Sequence, residues 1–218
     1  MNNGFSPLAV KIAGELACFT RPEMKVERVT YPVMTPSAAR GVLESIFWKP
    51  QFVWRVQEIR VLKPIRYLSI LRNEVNSRAS HRSAAGWARD GGGYDPSADR
   101  AQRHTLALRE VAYVIVAQLE IKPGVDEDLA KFRDQFRRRV AGGRCFSTPY
   151  LRCREFTAGF APPAGTEQPI NWTEDLGTML LDLDYAGDGS GRGTPQFFQA
   201  RLEEGILHIP MRRMKQEG

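Results

Sequence analysis

The chain has 218 residues, enough for one large domain or two small ones, and 42% hydrophobic content supports a packed core. Thirty-one basic residues against 25 acidic ones leave a formal charge of +6 and a pI near 9.4, which favours a polyanionic partner. No apolar run approaches the roughly 18 residues of a bilayer crossing, the start MNNGFSPLAVKIAG lacks the pattern of a signal peptide, and Cys18, Cys145 and Cys153 lack metal-site spacing. The expectation is a cytoplasmic protein with reduced thiols, no membrane contact, no metal and no cofactor.

Leu8–Cys18 alternates, with Leu8, Val10, Ile12 and Leu16 on one side and Lys11 and Glu15 on the other, the pattern of a half-exposed strand. A charged, proline-punctuated connection follows to Met34. Thr35-Pro36 supplies an N-cap hydroxyl and a proline for the first helical position. Ala39, Leu43 and Ile46 continue at helical spacing, and Pro50 ends the helix near Trp48.

Phe52–Leu62 reads as a strand whose phase slips: Trp54 and Val56 share one parity, Ile59 and Val61 the other. A bulge near Gln57-Glu58 reconciles them. Pro64–Leu71 extends or re-pairs this ribbon. Arg72–Asp99 carries few large apolar residues and the run Gly91–Gly93, and reads as a long loop. Its arginines (Arg72, Arg78, Arg82, Arg89) are interspersed with Trp87 and Tyr94, a composition that can hold a nucleic-acid backbone and stack on bases.

Arg100–Ala117 is the predicted centre. A basic loop with Arg100, Arg103 and His104 leads into a strand with Val111, Tyr113, Ile115 and Ala117 on one face and Ala112, Val114 and Val116 on the other. Apolar residues on both faces mark a buried central strand. Asp126–Ala141 is the clearest helix, capped by Asp126, with Leu129, Phe132, Phe136 and Val140 as its buried stripe. Arg137–Arg139 crowd its last turn, first as a solvated face that suits the dipole and second as a phosphate contact.

Gly142–Phe156 is a glycine-led segment carrying Arg144, without a Walker pattern. A strand is expected over Tyr150–Phe160, a linker over Ala161–Gln168, a strand over Thr178–Tyr185 and a flexible loop over Gly187–Gly193. A calcium-loop reading of the aspartates there fails on ligand positions. Gln196–Ile209 forms a hairpin turning at Glu203–Gly205, with His208 as a structural imidazole.

The order strand, helix, strand, strand, helix, strand predicts an α+β protein: a ferredoxin-like, RRM-like domain over residues 1–162 with an arginine-rich insertion at about 72–100, and a small antiparallel β subdomain over 163–218.

The runs PSAARGVLESIFWKP (Pro36–Pro50), RNEV (Arg72–Val75), QRHTLALREVAYVI (Gln102–Ile115), GGRCFSTPYLRCREF (Gly142–Phe156) and the tail FFQARLEEGILHIP resemble one family over almost the whole chain. It is the subtype I-C CRISPR-associated endoribonuclease that processes precursor CRISPR RNA, within the RAMP superfamily. The resemblance implies metal-independent cutting of the repeat RNA at the base of its hairpin. It also implies retention on the 5′ handle of the guide, beside the backbone and large subunits of a surveillance complex. The family's catalytic set is a tyrosine at the end of the first helix and an adjacent basic-plus-histidine pair before the central strand. The pair matches Arg103 and His104; the tyrosine position matches Phe47, which has no hydroxyl, so that Tyr31 or Tyr67 is a possible substitute.

Such cleavage uses the ribose 2′-OH against the adjacent phosphate, giving a 2′,3′-cyclic phosphate and a 5′-hydroxyl. Histidine suits the proton transfers, which makes His104 the expected general acid or base and His81 its rival. Arginine suits the charge of the transition state, a role for Arg103. Lys49, Arg55, Arg72, Arg78, Arg82, Arg100 and Arg144 are the expected RNA contacts, with Trp48 and Trp54 either lining the site or packed in the core. A different class of reading is a non-catalytic subunit that caps the guide's 5′ end. General binding of nucleic acid, duplex DNA included, would use the same basic surface.

Overall fold

The computed structural model describes residues 5–24, 26–185 and 193–210. The architecture is mixed α/β, a mostly antiparallel sheet with few helices. Strand β1 (Leu8–Ala17) buries Leu8, Val10 and Ile12, as its alternation requires, and the short β2 (Arg28–Val29) follows. Helix α1 (Pro36–Ile46) starts on the expected cap, with the Thr35 hydroxyl accepting from the Ala38 N–H, and stops where Phe47 turns extended. Strand β3 (Phe52–Val61) shifts register between Val56 and Glu58, at the anticipated bulge. Strand β4 (Tyr67–Val75) then re-pairs alongside.

Two expectations about the next segment are corrected. Arg72 lies within β4, and residues 81–90 form helix α2 (His81–Asp90), capped by the Ser80 hydroxyl on the Ser83 N–H. The basic loop at Arg100–His104 is also absent, because strand β5 (Arg100–Ile121) already includes those residues. Long-range pairing with β4, from Val75–Arg100 to Tyr67–Leu108, extends the strand through polar sequence that has no strand signature of its own.

Helix α3 (Leu129–Ala141) is capped by Asp128 rather than Asp126. Its stripe of Phe132, Phe136 and Val140 is buried, and so is Arg133, whose guanidinium donates to the Ser6 carbonyl and lies over the Phe5 ring. The expected strand at Tyr150–Phe160 reduces to β6 (Gly159–Ala161), preceded by turns that bury Leu151 and Cys153. The chain closes with β7 (Glu174–Tyr185), β8 (Gly193–Glu203) and β9 (Ile206–His208). Most of the expected loop at Gly187–Gly193 lies outside the described residues. His208 is exposed, not structural: in this strand only Leu207 is turned fully to the core.

The sheet order is β6-β1-β5-β3-β9-β8-β7, with β2 and β4 also paired to β5. The lower half of β5 lies between β1 and β3, and its upper half between β2 and β4. Glu110, with φ 54, sits where the neighbour changes from β4 to β3. The final strands join the same sheet through β9 on β3, and α1 reaches across to β7 through Arg40 and Asp182 at 2.7 Å.

Candidate nucleic-acid interface

The expected site residues lie at two ends of the sheet. At one end, α1 runs out into Phe47, Trp48 and Lys49. Phe47 is buried, its ring 5.4 Å from that of Phe52 and 6.4 Å from that of Phe132. Trp54 is buried in the same cluster and fixes the chain there by donating from Nε1 to the Phe47 carbonyl at 2.9 Å. Trp48, by contrast, is 53% exposed, and Lys49 is exposed beside it.

The last turn of α3 meets this corner. The Arg139 guanidinium lies 5.5 Å from the Phe47 ring centre and donates to the Ile46 carbonyl at 3.3 Å, which makes it a cation at the end of α1. Gly142 ends α3, and Gly143 takes φ +61, a left-handed value that glycine adopts without strain. The turn carries Arg144, exposed, and then Phe146, which is 85% exposed. Phe146 and Ser147 donate their backbone N–H groups to the Ser45 carbonyl at 2.8 and 3.1 Å, docking this loop on α1. The result is a corner with Lys49, Arg139 and Arg144 as cations and Trp48 and Phe146 as bare aromatic faces. Phe146 was not among the expected contacts, and the sequence offers Arg139 as a phosphate contact only second to a solvated face. Their signals were present: Arg139 is three positions from Phe136 on the flank of the buried stripe, and Phe146 is an aromatic residue in a glycine-led, basic loop.

At the other end, Arg103 and His104 lie in the upper part of β5. Side chains alternate along a strand, so the two point to opposite faces. Arg103 donates to the Asn76 side chain at 3.2 Å on the face shared with Thr105, Arg72 and Arg28. The arginines of that face are largely matched. Arg72 donates to the Thr105 hydroxyl at 2.6 Å and pairs with Glu74 at 2.5 Å, and Glu74 also meets Arg28 at 3.4 Å. Arg28 reaches the Cys153 sulfur at 3.3 Å. The neighbouring Cys18 thiol, and then the Arg28 guanidinium, hold Cys153 well below the ordinary thiol range.

His104 is exposed on the other face. Its backbone N–H donates to the Glu27 carboxylate, and its imidazole has no hydrogen bond among the described residues. Leu71 is its cross-strand neighbour, and Arg100 is on the same face four positions away. His81 is exposed at the start of α2.

The structure does not bring the expected catalytic set together. Phe52, in contact with Phe47, pairs with Ile121, whereas His104 pairs with Leu71 at the far end of the same strand. At roughly 3.3 Å per residue the contour between Ile121 and His104 is about 55 Å. Neither suggested substitute for the tyrosine repairs this. Tyr31 is buried beneath Arg21, and Tyr67 lies on β4 opposite Leu108.

The other expected contacts divide. Arg55 is ion-paired with Glu120, while Arg78, Arg82 and Arg100 are exposed around the insertion. The insertion is tied at its base by Asp99, which accepts from Tyr94 at 2.6 Å and from the Ser77 N–H at 2.8 Å, and the hydrogen bond to Asp99 pushes the Tyr94 hydroxyl up to about 12. Trp87 stacks on Tyr94 with centroids 6.5 Å apart. Among the described residues no group of three or more His, Cys, Asp or Glu could hold a metal ion, and no helix is long and apolar enough to cross a membrane.

These features define a class, a mixed α/β protein whose sheet carries basic surfaces at both ends. A crystal structure of a CRISPR-associated protein has the same fold, with a TM-score of 0.70 at 19% identity, covering 95% of each chain. The family model described as CRISPR-associated protein (Cas5) matches residues 7–210, and the chain belongs to this Cas5d family. It is 41% identical to the CRISPR pre-crRNA endoribonuclease Cas5d of Thermus thermophilus, over 96% of this chain and 93% of that one. It is 42% identical to the CRISPR pre-crRNA endoribonuclease Cas5d of Mannheimia succiniciproducens, over 93% and 94%.

Proposed function

We propose that the chain is an endoribonuclease that cleaves precursor CRISPR RNA within the repeat, without a metal, and stays on the 5′ handle in a surveillance complex with backbone and large subunits in the cytoplasm. Its two curated relatives, each over 40% identical across nearly the whole chain, bear the name of that activity. The observation that carries the site is the corner at the end of α1, where Arg139 covers Phe47 and Lys49 and Trp48 stand exposed. The 2′-OH attacks the adjacent phosphorus, its proton leaves to a base, and the 5′-oxygen departs with a proton, leaving a 2′,3′-cyclic phosphate. Arg139, Arg144 and Lys49 supply positive charge where the phosphorane forms, the type of stabilisation that is usually the largest catalytic term. Phe47 carries no hydroxyl, so in this reading proton transfer at the corner falls to a lysine amine.

A second reading places the proton transfer at His104. One observation favours it: the imidazole is exposed and without a hydrogen bond among the described residues. Arg103 does not serve the same phosphate in that reading, since it faces the opposite way.

We further propose a ferredoxin-like unit over residues 1–162. The connectivity β1-α1-β3-β5-α3-β6 with the order β6-β1-β5-β3 supports it. The β7–β9 group forms the small unit after residue 163.

The test is incubation of the purified chain with its repeat RNA in excess EDTA, beside a substrate with 2′-deoxy at the scissile nucleotide. Cleavage in EDTA that vanishes with 2′-deoxy is expected. Tight binding without cleavage would instead support a non-catalytic capping subunit, and equal affinity for duplex DNA would support general nucleic-acid binding.

A further inference from the structure

We propose that the cleft between the start of β4 and the segment 170–176 holds one unpaired nucleotide of the bound RNA. This rests on the reading of the chain as an RNA-processing protein. The cleft measures about 690 Å³, within the range of small-ligand sites. It is separate from the corner at Phe47. Its wall at Ile170 bonds to Val61, which pairs with Tyr113, eight positions along β5 from Ile121.

One wall is built from backbone. Ile170 N–H donates to the Val61 carbonyl at 2.8 Å, Gly205 N–H donates to the Trp172 carbonyl at 2.8 Å, and Glu204 N–H donates to the Thr173 hydroxyl at 2.9 Å. Gly205 (φ +76) lets the β8–β9 turn come this close, since a Cβ there would lie 2.3 Å from the Ile170 carbonyl oxygen. The main chain is therefore fixed, and Asn171, exposed, and Trp172, partly buried against the core, line the cleft. Tyr67, half exposed, lines it from β4, and Arg21 contributes a guanidinium that lies over the Tyr31 ring and meets the exposed Glu23 carboxylate at 3.7 Å, a long surface pair that a phosphate can displace. Arg21 and Glu174 are both near enough to Tyr67 to act on its hydroxyl, whose pKa is raised chiefly by burial.

The lining selects its ligand. Two aromatic side chains offer stacking surface to a base of any sequence. One guanidinium matches one phosphodiester. The Glu174 and Asp175 carboxylates disfavour a ligand with several phosphates. A carboxylate also accepts from exocyclic base amines, and the Asn171 amide reads a base edge. Among the side chains of the cleft, Tyr67, Asn171 and Trp172 have no hydrogen bond from their polar ends within the described residues. An unpaired nucleotide outside the cleaved bond fits this set.

The full chain is titrated with repeat RNA made uncleavable by 2′-deoxy substitution, in a series in which each unpaired nucleotide in turn is abasic. In the wild type one position is expected to weaken binding by about tenfold to a hundredfold. In Tyr67→Ala and in Trp172→Ala that penalty should fall to about twofold or less, with other positions unchanged, and Tyr67→Phe should restore it. Should Trp172→Ala fail to fold, the half-exposed Tyr67→Ala decides. A flat wild-type profile, or one unchanged in Tyr67→Ala, overturns the cleft. Failure of the wild type to bind any member of the series overturns the RNA reading beneath it.

Discussion

The two ends of β5 use arginine differently. At the Ile121 end Arg55 is ion-paired with Glu120, but Lys49 and Arg144 stand exposed outside a packed aromatic cluster, and among the described residues the Arg139 guanidinium meets a backbone carbonyl and a ring face. At the Arg100 end Arg28 and Arg72 belong to a chain, Cys153–Arg28–Glu74–Arg72–Thr105, in which each charge is answered by a neighbour, while Arg78, Arg82 and Arg100 stand exposed around it. Arginines committed to such a chain hold strands together and have little left for a phosphate. Counting arginines along the sequence therefore says less about RNA contact than asking which of them lack an anion.

The largest stability effect belongs at the aromatic corner. Phe47→Ala should destabilise the protein by about 3–5 kcal/mol, as truncation of a packed ring does. His104→Ala, at an exposed position, should stay within about 0.5 kcal/mol. Chemical denaturation of both variants checks this, and equal effects would erase the contrast.

RNA affinity divides by ion pairing rather than by position along β5. Lys49→Ala combined with Arg144→Ala should weaken binding and reduce the slope of log K against log salt by about 1.4, roughly 0.7 for each phosphate contact on a single strand. Arg55→Ala and Arg72→Ala, which remove cations paired with Glu120 and Glu74, should leave the slope unchanged. Anisotropy titrations at several salt concentrations separate the two pairs.

The smallest effect is a pH dependence at the Arg100 end. The folded Cys153 thiol is held down, to about 6, so the stability it contributes is complete above the unfolded thiol's pKa, roughly 8.5, and is lost as pH falls through the folded value. The difference in melting temperature between wild type and Cys153→Ser should therefore grow from about pH 6 to about pH 8.5. A constant difference would mean that the Cys18 hydrogen bond and the Arg28 guanidinium do not hold the thiol down.

Local signals carried much of the fold. Thr35-Pro36 marked the start of α1, the parity change between Val56 and Ile59 marked the bulge of β3, and the two-faced apolar run from Val111 marked the central strand. Of the three acids before α3 the sequence pointed to Asp126 as the cap, and the cap fell on Asp128, directly before the first residue of the stripe. The misses have a common cause. Polar residues 100–104 become strand because β4 lies beside them, and the apolar residues of 150–158 are buried in turns against β1 rather than in a strand. Pairing between distant segments is not written in local periodicity. For the same reason Arg103, His104 and Phe47, joined by resemblance, are separated by the length of β5, while Arg139, read first as a solvated face, is folded against Phe47.

The most direct measurement is single-turnover cleavage of the repeat RNA in EDTA by Lys49→Ala/Arg139→Ala and by His104→Ala, beside the wild type. Loss of about a hundredfold or more in the double variant, with His104→Ala within a few-fold of wild type, is the expected result if the corner at Phe47 carries the chemistry. Loss of about 10²–10⁴-fold in His104→Ala, with the double variant still cutting at saturating RNA, would contradict it and move the reaction to the other end of the strand.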